Sequence, residues 1–63
     1  MTTGDIIRNK RNDLGYEQQE LAEKLGISKA QMCKIENGMV VPSLPVATAI
    51  ARILGCTVND LVG

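Results

Sequence analysis

Sixty-three residues, with seven basic and seven acidic side chains, no histidine and one aromatic, Tyr16, leave room for one small domain with an aliphatic core, which buries only about 60% of the surface its unfolded chain exposes. No apolar run approaches the ~20 residues of a membrane span, and the first residues lack the pattern of a signal peptide, so a cytoplasmic protein is expected. With no histidine, no cysteine cluster and no carboxylate pair in a credible cleft, neither a metal, a cofactor, a small-molecule substrate nor an enzyme is expected.

A first helix is capped by Thr2 or Thr3, with Asp5 three residues after Thr2. Ile7, Lys10, Arg11 and Leu14 fall at i, i+3, i+4 and i+7 and form its expected buried stripe, and Gly15 ends it. An unpaired charge in that stripe is prohibitive, so Arg11 requires a partner. Glu36 is the candidate, since it stands near the C-terminus of a later helix, where the dipole opposes a negative charge. The alternative is two solvated side chains.

Tyr16 and Glu17 lead into a second helix with Leu21, Ala22 and Leu25 on one stripe. Gln18 falls in its first turn, where free backbone N–H groups make an anion site; glutamine is also simply a good helix former. Gly26 stops this helix, Ile27 precedes the next cap, and Ser28 with Gln31 has the spacing of a capping box. The third helix, 28–36, has Met32 and Ile35 on its apolar face and Lys29, Gln31, Cys33 and Lys34 on its exposed one; Asn37-Gly38 ends it. Two helices held by so short a joint form a helix-turn-helix, which places its second helix in the major groove of double-stranded DNA.

Met39-Val40-Val41 is apolar, and Pro42 precludes helix at Val41. This loop packs on the core, meets a partner chain or stands exposed. Ser43 caps a fourth helix with Leu44 and Pro45 in its first turn. Ala47, Ile50, Ala51 and Leu54 face inward, Ile53 lies off that stripe, and Gly55 is the stop. Thr57 with Asp60 opens a short fifth helix through Val58 and Leu61. Cys33 on an exposed face and Cys56 in an apolar slot read as free thiols. The expectation is an all-α, five-helix fold with residues 1–63 as a single domain, no linker or repeat, and no second module.

The ordered set Gln18-x-x-Leu21-Ala22-x-x-Leu25-Gly26-Ile27-Ser28, Ile35-Glu36-Asn37-Gly38, Pro42-Ser43-Leu44 and Leu54-Gly55-Cys56-Thr57-Val58-Asn59-Asp60-Leu61 resembles the lambdoid Cro/C1 repressor, or XRE-type, family from about Thr3 to Val62. The resemblance implies a bacterial or phage-encoded regulator of transcription, a repressor, activator or antitoxin, that binds a near-palindromic operator as a homodimer with half-sites about one helical turn apart. It implies a buried Arg11–Glu36 bridge and a phosphate contact at Gln18. Asn37 is a second phosphate donor, or serves only to permit the turn before Gly38. Two departures stand out. Glu17 replaces the usual Thr, Ser or Asn of a phosphate-touching cap, and Met39–Val41 replaces the basic residues frequent in that loop.

Lys29, Ala30, Gln31 and Lys34 are the expected base contacts. Lysine donates to guanine O6 and N7, glutamine pairs with adenine, and a methyl group meets that of thymine. Gln31 has a competing use in its own helix cap. Ile53 and Val62, outside the core stripes, are the candidate dimer seam. The zero net charge weighs against DNA binding, because acids interleave with the lysines and arginines and leave a thin basic face. The alternative is therefore a protein-interaction module or antitoxin-like partner on the same fold, with weak DNA binding.

Overall fold

Local capping chemistry sets most of the helix boundaries. The structure, a computed structural model, describes residues 2–62. Among these are five α-helices and no strand: α1 (Thr3–Asp13), α2 (Gln18–Leu25), α3 (Lys29–Glu36), α4 (Leu44–Leu54) and α5 (Val58–Val62). The all-α class and the five elements are those the sequence pattern predicts.

Thr2 and Asp5 make both bonds of a capping box at 3.2 Å each. Thr57 and Asp60 repeat it before α5 at 3.0 and 3.3 Å. Each box satisfies two N–H groups that a helix start leaves unpaired. The backbone N–H of Thr2, then its hydroxyl, hold the Asp5 carboxyl below its ordinary value, and Thr57 does the same to Asp60. The turn between α2 and α3 is made by Gly26 at φ +73°, a left-handed conformation in which a Cβ is strained. Ile27 then bonds back to the Ala22 carbonyl at 3.0 Å.

Ile7, Leu21, Ala22, Met32, Ile35, Ile50, Ala51, Leu54 and Leu61 make one core, drawn from every helix. Tyr16, Ile53, Cys56 and Val58 are partly buried against it. Both cysteines are free thiols.

Three local expectations are corrected. Leu14 is 52% exposed rather than buried. The helical pattern runs through Leu14, whose backbone is still αR with its N–H on the Lys10 carbonyl, but Leu14 is the C-cap at the very end of α1 and is not among the residues packed on the core. Ser43 occupies the N-cap of α4 without a side-chain bond: Pro45 at the second helical position has no N–H, and the N–H at the third, the one Thr2 and Ser28 accept from in their own helices, is not bonded to the Ser43 hydroxyl. Ser28 accepts from the Gln31 N–H at 3.1 Å, but no return bond from the Gln31 side chain completes a box.

Candidate nucleic-acid interface

Helix α3 is two-sided because its apolar and polar residues alternate at helical spacing. Met32 and Ile35, at 0% and 2% exposure, anchor it in the core. Lys29, Ala30, Gln31 and Lys34 are all exposed. The incomplete cap matters here. With its backbone N–H alone on Ser28, Gln31 keeps its carboxamide free of hydrogen bonds among the described residues. The surface so formed carries two ammonium groups, an amide able to donate and accept, and a methyl group. That is a set of groups able to read base edges in a groove.

The carboxyl end of α3 is held from behind by a charge cluster. Glu36 is 2% exposed. Its Oε2 accepts from Arg11 Nε at 2.9 Å, and its Oε1 accepts from Arg11 Nη2 at 3.1 Å and from Gln18 Nε2 at 3.3 Å. Arg11 spends Nη1 on the Tyr16 carbonyl at 2.8 Å. The planar guanidinium matches a carboxylate in this two-bonded way. No buried side-chain nitrogen or oxygen among the described residues lacks a partner, which is the condition under which a buried charge pair is tolerable.

Arg8 completes the cluster. Its Nη2 donates to the main-chain oxygen of Glu36 at 2.9 Å and to Asn37 Oδ1 at 3.4 Å. Its Nε lies 3.7 Å from Glu36 Oε1, and its Nη1 3.5 Å from Asp5. A cation on the last carbonyls of a helix is favoured by the helix dipole, which offsets the unfavourable position of Glu36. One helical turn before Arg8, Gly4 lets the backbone of α1 rest directly on that of α3: a Cβ at Gly4 would overlap the Glu36 carbonyl oxygen.

The structure thus joins Arg11, Glu36 and Gln18 in one network and leaves Lys29, Ala30, Gln31 and Lys34 exposed on α3. Asn37, the C-cap of α3, donates from Nδ2 to Cys33 Sγ at 3.3 Å. Ile53 is half-buried against the core, whereas Val62 is 65% exposed. Arg8 and Gly4 are members of the site that sequence reasoning did not assign. For Arg8 there was a signal, since Arg8 and Arg11 at i and i+3 share one face of α1. For Gly4 there was none.

The neighbouring surface is less suited to an anion. Met39 and Val41 stand 72% and 89% exposed, and Glu17 caps α2 with its N–H bonded to Glu20 at 3.0 Å. Lys24 lies 5.4 Å over the Tyr16 ring, within reach of a cation–π contact.

Residues 7–61 match the sequence model of the helix-turn-helix family. An uncharacterized HTH-type transcriptional regulator of Methanothermobacter thermautotrophicus is 44% identical over 50 residues, spanning 79% of this chain and 72% of that one. The immunity repressor protein of Bacillus phage phi105 is 36% identical over 63 residues; this chain spans 44% of its length. Among solved structures, that of SinR from Bacillus subtilis, the master regulator for biofilm formation, in complex with DNA is similar at TM-score 0.87 and 31% identity, over 95% of this chain and 97% of that one.

Proposed function

The chain belongs to the helix-turn-helix family of transcriptional regulators, and we propose from that premise that it is a sequence-specific repressor that seats α3 in the major groove of double-stranded DNA. The observation that carries this reading is the division of α3. One side is locked in the core by Met32 and Ile35, and the other leaves Lys29, Ala30, Gln31 and Lys34 exposed at the start and middle of the helix. A side chain committed to the core cannot reach a base, and these four are not committed. A relative named as an immunity repressor supports the direction of the effect, and a similar regulator solved in complex with DNA supports the binding.

In this reading Lys29 and Gln31 read base edges, Ala30 meets a thymine methyl, Lys34 reads a base or a phosphate, and Gln18 and Asn37 hold phosphates. A single α3 spans too few base pairs to select one operator, so the protein acts as a homodimer on a near-palindrome. Val62, with Ile53 beside the core, forms the seam. The protein works in the cytoplasm of a bacterium or on behalf of a phage. The decisive experiment is selection of bound duplexes from a random DNA pool. A palindromic consensus is expected, and recovery of unenriched sequence would overturn the reading.

A second reading is favoured by one set of observations. Zero net charge, Glu17 at the cap and the exposed Met39 and Val41 suit a protein partner, as in an antitoxin, better than they suit phosphate. Retention on heparin at low salt separates the two, because only the DNA binder is held.

A further inference from the structure

Two carboxamides flank the recognition surface, Gln18 in the first turn of α2 and Asn37 at the end of α3. A carboxamide offers a donor or an acceptor in nearly the same shape, and which of them faces outward depends on its neighbours. Phosphate oxygens accept only. An amide that grips phosphate must therefore be turned with its nitrogen outward.

Both amides are turned by charges of the same cluster. At Gln18 the orienting charge is negative: Nε2 faces Glu36 Oε1 at 3.3 Å. The reverse orientation would set oxygen against carboxylate. At Asn37 the charge is positive: Oδ1 faces Arg8 Nη2 at 3.4 Å, and Nδ2 faces Cys33 Sγ at 3.3 Å. Reversal there would set two donors against each other. Each NH2 group commits one hydrogen to the protein and keeps the second free. Arg8 itself is anchored by its 2.9 Å bond to the Glu36 carbonyl, so it orients Asn37 from a fixed base.

We infer that Arg8 is a positioning residue of the DNA interface: it holds Asn37 Oδ1 so that Nδ2 is presented to a phosphate. This rests on the DNA-binding reading above. Arg8 acts from behind α3, through Asn37, and is distinct from the side chains on the groove face.

The test is a double-mutant cycle on the selected operator, at an ionic strength that screens long-range charge. Arg8→Met and Asn37→Ala should each weaken binding about fivefold, the worth of one hydrogen bond, and do so alike for all single-base variants. The double variant should be no weaker than either single one. Arg8→Lys keeps the charge, but its shorter side chain ends in one nitrogen and lacks the Nη1 and Nε groups that face Asp5 and Glu36 while Nη2 meets both oxygens, so it should recover only part of the loss. In the DNA-free protein, the nuclear Overhauser contact between an Asn37 amide proton and the Cys33 β-protons should disappear in Arg8→Met. Losses that multiply in the double variant, full recovery by lysine, or an unchanged amide contact would each overturn the inference. A parent that binds no duplex would overturn the DNA reading and this inference with it; in that case the amide contact shows whether Arg8 still orients Asn37.

Discussion

The α-carbon of Gly4 lies so close to the last turn of α3 that a methyl group there would overlap the Glu36 carbonyl oxygen and stand 2.8 Å from that of Ile35. The demand is for space, since Gly4 lies inside a regular helix. Alanine is the better helix former by about 1 kcal/mol, so propensity alone predicts that Gly4→Ala stabilises. The opposite is expected, a loss of about 1–3 kcal/mol, because the obstructing atoms are backbone and cannot rotate away. Urea denaturation decides it. A raised midpoint would mean that α1 shifts freely against α3.

Arg11 and Glu36 should matter more to folding than any exposed charge. Removing one partner of a buried pair leaves the other uncompensated, which costs about 3–5 kcal/mol. Arg11→Met and Glu36→Gln should both melt well below the parent. Glu36→Gln should also disturb Gln18, which shares Oε1 with Arg11 Nη2. Melts that match the parent would mean the pair adds nothing to the stability of the fold.

What was legible in the sequence is what depends on near neighbours. Ser28, Thr57 with Asp60, and Gly26 act within three or four residues, and each stands where its spacing predicts. The Arg11–Glu36 partnership was reachable because both residues are poorly placed alone. Arg8, Gly4 and the exposure of Leu14 depend on where one helix meets or leaves another. Arg8 bonds to a main-chain oxygen 28 positions away, and a main-chain acceptor has no residue type to recognise. The free amide of Gln31 was hidden by a spacing that predicts a box of which only half forms.

Lys29 and Lys34 should carry recognition and little stability. Both are exposed, and such lysines are worth less than ~0.5 kcal/mol to folding. At a base edge each would contribute ~1–3 kcal/mol. Lys29→Ala should relax preference at one operator position, since Lys29 opens α3. Lys34→Ala should do the same, or weaken all sequences alike and lower the salt slope by about one. Titration against single-base variants distinguishes these outcomes. Unchanged affinity in both variants would take α3 out of the groove.

Self-association without DNA should be weak. Specific interfaces usually bury more than ~1,200 Å², and the apolar surface exposed at the end of the described chain is little more than Val62. Sedimentation of Val62→Glu and Ile53→Glu should show no dimer, with circular dichroism confirming the fold, above all for the half-buried Ile53. A dimer that survives both changes would move the seam to Met39 and Val41.

Acid should weaken the two capping boxes. Asp5 and Asp60 both titrate below the ordinary 3.8 in the folded chain. A depressed carboxyl contributes stability that is fully present above its unfolded value and is lost as pH falls through the folded one. Asp5→Asn and Asp60→Asn should therefore melt below the parent at neutral pH, and the gap should close as pH drops below 3.8. A gap independent of pH would assign these residues no charge-dependent role.

The core has a consequence for the order of events in folding. Ile7 in α1 and Leu61 in α5 belong to one cluster, and the two helices pack together. At the ~5–20 residues per second of synthesis, α1 waits several seconds for its last neighbour. The pair α2 and α3, adjacent in sequence and packed on each other, has no such delay. The α2–α3 pair can therefore assemble first, as a transient hairpin of helices; α1 and α4 can meet it as soon as each is available, and the shared core is complete only once Leu61 of α5 has been made.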